Sequence, residues 1–187
     1  MTTNKSKDEK TKRIVNTFRV EERPKWISDT NIELLTHPKY VQILRFYIVN
    51  TPDSEKSVRG KSITDCGIDE TVFLKDLKKD IIQWQSSGNN IIVESKLDQV
   101  TLKEFPPKAD FSERVCFSYN KRDELTYFFR HIRNSIAHGR FNITGPMKDP
   151  VLAMEDRNSN GNCSARMILK MSTLLRWMEQ IENYRKD

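Results

Sequence analysis

Residues 123–141 read DELTYFFRHIRNSIAHGRF, and the spacing within this stretch sets the expectation for the chain. Leu125, Phe128, Phe129, Ile132 and Ile136 recur at i, i+3, i+4, i+7 and i+11, the period of one face of an α-helix. Asn120 or Asp123 starts the helix, since a short polar side chain can accept from a first-turn N–H. Gly139 accepts the left-handed conformation that ends such a helix, which leaves His138 in the final turn. At 100° per residue, His131, Asn134 and His138 form a second stripe on the far side from the apolar one. Arg130 and Arg133 lie along one flank.

Working outward, the punctuation suggests three more helices. Thr36 is the expected N-cap of the first, with Pro38 just inside and Val41, Leu44, Phe46, Ile48 and Val49 making it mostly apolar. The polar, turn-rich stretch 51–67 reads as loop. Asp69 caps a second helix with Val72, Phe73, Leu77, Ile81 and Trp84 near one face, ended by Ser86-Ser87-Gly88. Residues 89–119 stay open: Ile91-Ile92-Val93 suits a short strand, while Leu97, Val100 and Leu102 fit either period. Val151–Met154 and Ala165–Leu169 flank a turn containing Asn160-Gly161, a β-hairpin with a longer loop. Ser172 caps a last helix carrying Leu174, Leu175, Trp177, Met178 and Ile181. The sum is a mainly α fold, a helical bundle with a small β-hairpin before the last helix.

The chain has 187 residues, with 32 Lys+Arg against 26 Asp+Glu and a net charge of +6. That length fits one domain with an appendage. Residues 1–25 hold eight basic and four acidic side chains, so a polar leader, residues 1–28, supplies +4 and the domain at 29–187 only +2. No window approaches the ~18 apolar residues of a membrane span. The leader has no apolar core of the kind a signal peptide needs, so a cytoplasmic protein is expected.

Several chemistries lack their parts. The six glycines, at 60, 67, 88, 139, 145 and 161, contain no G-x-G, which excludes a dinucleotide fingerprint. Gly60-Lys61-Ser62 resembles the end of a P-loop, but Glu55 stands where the first glycine belongs. Cys66, Cys116 and Cys163 are too scattered for a zinc knuckle or a disulfide framework and read as free thiols. Asp156-x-Asn158-x-Asn160-Gly161 opens like a calcium loop, yet Met167 occupies the twelfth position where a bidentate Glu is needed. No cofactor and no metal is expected.

Two of the three histidines therefore share a polar helix face with two arginines. One reading is a solvated cationic face, favourable near the negative end of the helix dipole. The other is chemical. An imidazole, titrating near ~6.5, takes or returns a proton at neutral pH, and a guanidinium forks onto phosphate oxygens. Together they suit metal-free RNA cleavage, in which a 2′-OH attacks phosphorus, an arginine stabilises the phosphorane and the 5′-oxygen is protonated.

Arg133-Asn134-Ser135-Ile136-Ala137-His138 resembles the R-x(4–6)-H signature of the HEPN superfamily, including the polar residue that often follows the arginine there. The run from Met154 to Lys170 and the helix after it resemble small stand-alone HEPN proteins of bacterial mobile elements and defence loci. The likeness covers roughly residues 120–185. It implies a helical bundle that dimerises, so that two motifs meet across a dyad. It also implies a metal-independent endoribonuclease acting as a toxin or phage-defence effector, with RNA as substrate and an antitoxin or inhibitor as a further partner. Carried over by position, Arg133 would bind and stabilise the scissile phosphate, His138 would be the acid/base or a phosphate ligand, and Asn134 would orient either. Arg130, His131 and Arg140 join as candidate substrate-binding residues from the helical geometry, not from the family pattern. Some members of the superfamily bind without cutting, so a nucleic-acid or nucleotide-binding module and a scaffold protein are the alternatives. The modest +2 of the domain favours recognition local to a cleft over an extended basic RNA surface.

Overall fold

The computed structural model describes residues 37–52, 63, 67–88, 93–119 and 123–184. The leader 1–28, Thr36, most of the loop 51–67, Ile91, Ile92 and Asn120 lie outside the described residues.

The helix expected at the centre of the sequence forms over Glu124–Ala137, and its cap is Asp123, whose carboxylate accepts from Thr126 N at 3.1 Å. All five residues of its apolar stripe are buried. The other described helices run over Pro38–Arg45 (α1), Glu70–Asp80 (α2) and Met171–Tyr184 (α4), which makes Glu124–Ala137 α3. The α1 cap is His37, whose Nδ1 accepts from Lys39 N, and α1 continues as a π-turn over Phe46–Asn50. Asp69 caps α2 as expected, accepting from Thr71 N and Val72 N. Ser172 sits inside α4 and leans on a cap from outside: its N–H and hydroxyl both donate to the Asp149 carboxylate.

The expectation of a mainly α bundle fails. The chain builds a five-stranded mixed sheet from β1 (Gln83–Gly88), β2 (Arg114–Tyr119), β3 (Phe141–Thr144), β4 (Val151–Arg157) and β5 (Cys163–Lys170), in the order β1-β2-β5-β4-β3. β1 pairs parallel to β2, and the other pairs are antiparallel. The expected hairpin exists as β4–β5, but it forms the middle of the sheet rather than an attachment. Trp84 and Ser86-Ser87-Gly88, read as the end of α2, lie in β1, and α2 stops at Asp80. Val72, placed on its apolar face, is 65% exposed.

The physical reason is that the middle of the sheet is covered on both faces, so β2 and β4 are buried almost continuously and show no period-two signature. Side chains alternate between two layers. Val115 and Phe117, Leu152 and Met154, and Ala165, Met167 and Leu169 face the helices, in one core with Phe128, Phe129 and Trp177. Cys116, Val151 and Ile168 face the other way, against a 3-10 helix over Val93–Val100 that carries Val93, Leu97 and Val100. In this alternation Asp156 falls on the same side as Leu152 and Met154, the side of α3. β1 and α3 are joined by Glu124, which accepts from Trp84 Nε1 at 2.7 Å and pairs with Lys78 at 3.1 Å. Burial pushes the Glu124 carboxyl up, but the hydrogen bonds from Ser86, Trp84 and Lys78 outweigh it and hold it below its ordinary range.

Cys116 and Cys163 are buried free thiols, and burial pushes them up to about 11 and about 12. A thiol reagent attacks the thiolate. In a Cys66→Ser protein, Ellman's reagent is therefore expected to find no reactive thiol in the native state at pH 8 and two after denaturation. Fast native labelling would contradict the burial of either side chain.

Candidate functional site

The signature segment occupies the C-terminal half of α3. Its end is a Schellman closure: Arg140 N donates to Ser135 O at 2.8 Å and Gly139 N to Ile136 O at 3.0 Å, with Gly139 at φ +65°. This closure places His138 at the C-cap, where its side chain is exposed. The carbonyl of Arg140 then accepts from Glu155 N, which ties the end of the motif to β4.

The polar stripe is not a solvated face along its whole length. His131 is 6% exposed and lies against the sheet. Its Nε2 donates to the carbonyl of Ser118 at 2.7 Å, and its Nδ1 meets Asp156 Oδ2 at 2.7 Å. A carbonyl can only accept, so Nε2 carries a hydrogen. The remaining proton belongs to the pair of Nδ1 and the Asp156 carboxyl. Both ring nitrogens are thus taken up within the chain, and His131 has none to offer a substrate. Asn134 donates Nδ2 to the same Asp156 oxygen at 3.3 Å. A carboxylate holding the NH₂ end of the amide leaves Oδ1 of Asn134 as the outward acceptor.

The candidate residues therefore divide. His131 and Asn134 converge on Asp156. Arg133 is half-buried, and among the described residues its Nε is buried with no hydrogen-bond acceptor. Most buried polar atoms have a partner; Asn50 Oδ1, Thr51 Oγ1, Gln83 Oε1 and Arg114 Nε are likewise without one among the described residues. Arg130 lies with its guanidinium carbon 4.6 Å from the centre of the Tyr127 ring, a cation–π contact. Arg140 is half-buried beside the closure. On one helix Arg133 and His138 project about 140° apart, at 100° for each of five residues.

Asp156 is the residue that sequence reasoning missed. Its carboxylate looked like the first ligand of a failed calcium loop, and nothing in the spacing joined it to a helix 22 residues earlier. The rest of that loop behaves as a polar hairpin tip, with Asn158 Oδ1 accepting from Asn160 N and Asn162 N. Among the described residues, no three His, Cys, Asp or Glu side chains gather to hold a metal ion. Between α3 and the hairpin tip opens a cavity of about 650 Å³, bordered by Tyr127, His131, Asn134 and Asp156 on one side and by residues of the tip on the other.

No helix among the described residues is long and apolar enough to cross a membrane. No curated protein and no solved structure matches the chain. A family model does: the one described as HEPN pEK499 p136 matches residues 67–186, well over half of the chain, and so takes in α2, the whole sheet, α3 and α4. With the signature arginine and histidine at the end of α3 inside the matched region, the chain belongs to the HEPN superfamily, in the family HEPN pEK499 p136.

Proposed function

We propose that this protein is a metal-independent endoribonuclease whose cleft is formed by two copies meeting across a dyad, acting in the cytoplasm as a toxin or phage-defence effector. The observation that carries it is the disposition of the signature residues: an exposed imidazole at the C-cap of α3 and a half-buried guanidinium on the same helix. A phosphate oxygen is the acceptor such a guanidinium suits.

In the proposed reaction, His138 of one copy takes the proton from the 2′-OH as that oxygen attacks the neighbouring phosphorus. Arg133 binds the non-bridging oxygens and stabilises the pentacoordinate dianion. The leaving 5′-oxygen is protonated by the second copy's imidazole, which yields a 2′,3′-cyclic phosphate and a 5′-hydroxyl. Asn134, held by Asp156, presents Oδ1 to orient the 2′-OH or the imidazole N–H. Two copies supply what one copy lacks. One motif holds one exposed histidine, while the reaction uses a base and an acid, and Arg133 and His138 diverge on a single helix. A symmetric interface supplies both missing groups at once. A toxin of this kind requires an antitoxin or inhibitor that blocks the cleft.

The test is cleavage of single-stranded RNA by the purified protein in EDTA. Products ending in a 2′,3′-cyclic phosphate are expected, and Arg133→Ala is expected to lower the rate by about 10²–10³-fold, the usual cost of one oxyanion donor. RNA that is bound but left intact would overturn the catalytic proposal in favour of a binding module.

A further inference from the structure

We propose that the cavity between α3 and the β4–β5 hairpin tip is a subsite for one unpaired nucleobase of the RNA. This deepens the ribonuclease reading, and its placement beside the cleavage site rests on that reading. Three observations carry it.

The first is charge. The one guanidinium on the cavity wall, Arg157, is matched inside the chain by Glu155 at 2.5 Å, and the His131 imidazole is taken up by Asp156 at 2.7 Å. A phosphate seeks unmatched cations, so this cavity suits a neutral, hydrogen-bonding group instead. The second is the set of fixed amides. Asn158 commits its Oδ1 to two backbone N–H groups, at 3.0 Å each, which leaves Nδ2 as a donor. Asn134 commits its Nδ2 to Asp156, which leaves Oδ1 as an acceptor. An oriented donor and an oriented acceptor line one cavity, and the edge of a nucleobase offers the complementary pair. The third is the half-buried Tyr127, whose ring borders the cavity and carries Arg130 in cation–π contact. A planar aromatic supported by a guanidinium is a stacking surface for a base splayed out of a single strand. At about 650 Å³ the space admits a base with its ribose.

Free nucleosides test this without involving cleavage, because they contain no phosphodiester. The full chain is titrated with adenosine, guanosine, cytidine and uridine at millimolar concentrations, and binding is followed by saturation-transfer NMR and calorimetry. At least one nucleoside is expected to bind. Tyr127→Ala is expected to weaken it by roughly fivefold or more. Asn162→Trp, which fills the cavity from the exposed tip, is expected to abolish binding, and Arg133→Ala to leave it unchanged. No nucleoside bound, or binding that survives both Tyr127→Ala and Asn162→Trp in folded protein, would overturn the proposal. Nucleoside binding without RNA cleavage would keep the subsite and remove the ribonuclease reading. Cleavage without nucleoside binding would do the reverse.

Discussion

Replacing His138 by alanine is expected to lower RNA cleavage by about 10²–10⁴-fold, the range that a positioned acid/base contributes. The fold should hardly notice. His138 is exposed at the C-cap of α3, and its backbone N–H, donating to Asn134 O at 2.9 Å, is the same in alanine. Substitutions of that kind stay within about 0.5 kcal/mol, so an unchanged melting temperature beside a lost activity identifies the loss as chemical. Subunit mixing carries the test further. If each cleft needs the imidazoles of both copies, an equal mixture of wild-type and His138→Ala chains retains about one quarter of the activity, from random assortment into two-fold pairs. If one copy suffices for its own cleft, about one half remains. Retention of one half would sink the shared cleft while leaving His138 as a catalytic group.

What was legible in the sequence follows from how directly a residue's role is written in its neighbours. α3 was legible in its apolar stripe and its stop at Gly139, with Asp123 one of two candidate caps beside Asn120, because helix periodicity and capping are local. The β4–β5 turn at Asn158–Gly161 was legible for the same reason. The sheet around it was not. RVCFSY in β2 is buried at five of six positions because it has a core on each face, and such a run shows neither helical nor alternating period. QWQSSG in β1 is polar, with a serine pair and a glycine that imitate a helix stop; only its parallel pairing with β2 makes it a strand. β3 is four residues long and emerges through its pairing with β4. The site divided along the same line. The signature Arg133 and His138 stand five apart on one helix and could be read off, and the family match extends their context back to residue 67. His131 was placed on a polar stripe, as a candidate substrate-binding residue, because a helical wheel knows nothing of a strand from elsewhere. That strand brings Asp156 against it.

Replacing Asp156 by alanine is then expected to cost about 1–3 kcal/mol of folding stability, the penalty for leaving a buried polar group without its hydrogen-bond partner. Both side chains are sheltered from solvent, Asp156 at 4% and His131 at 6% exposed. The carboxyl group also receives Asn134, so its removal leaves two polar groups of α3 unanswered. Asp156→Asn is expected to cost less, because an amide oxygen still accepts one of the two. A drop in urea midpoint at constant slope would measure the loss as stability alone. The double change His131→Leu with Asp156→Leu separates two explanations. If the penalty arises from an orphaned polar group, the apolar pair should recover much of it. If it arises from the shape of the cavity wall, the double variant should be no better than the single. Activity should part from stability here. The apolar pair restores packing but supplies nothing to hold the Asn134 amide, so its Oδ1 is no longer fixed outward, and cleavage should stay depressed in a protein that is folded again. Full recovery of both would mean that Asp156 serves the fold alone.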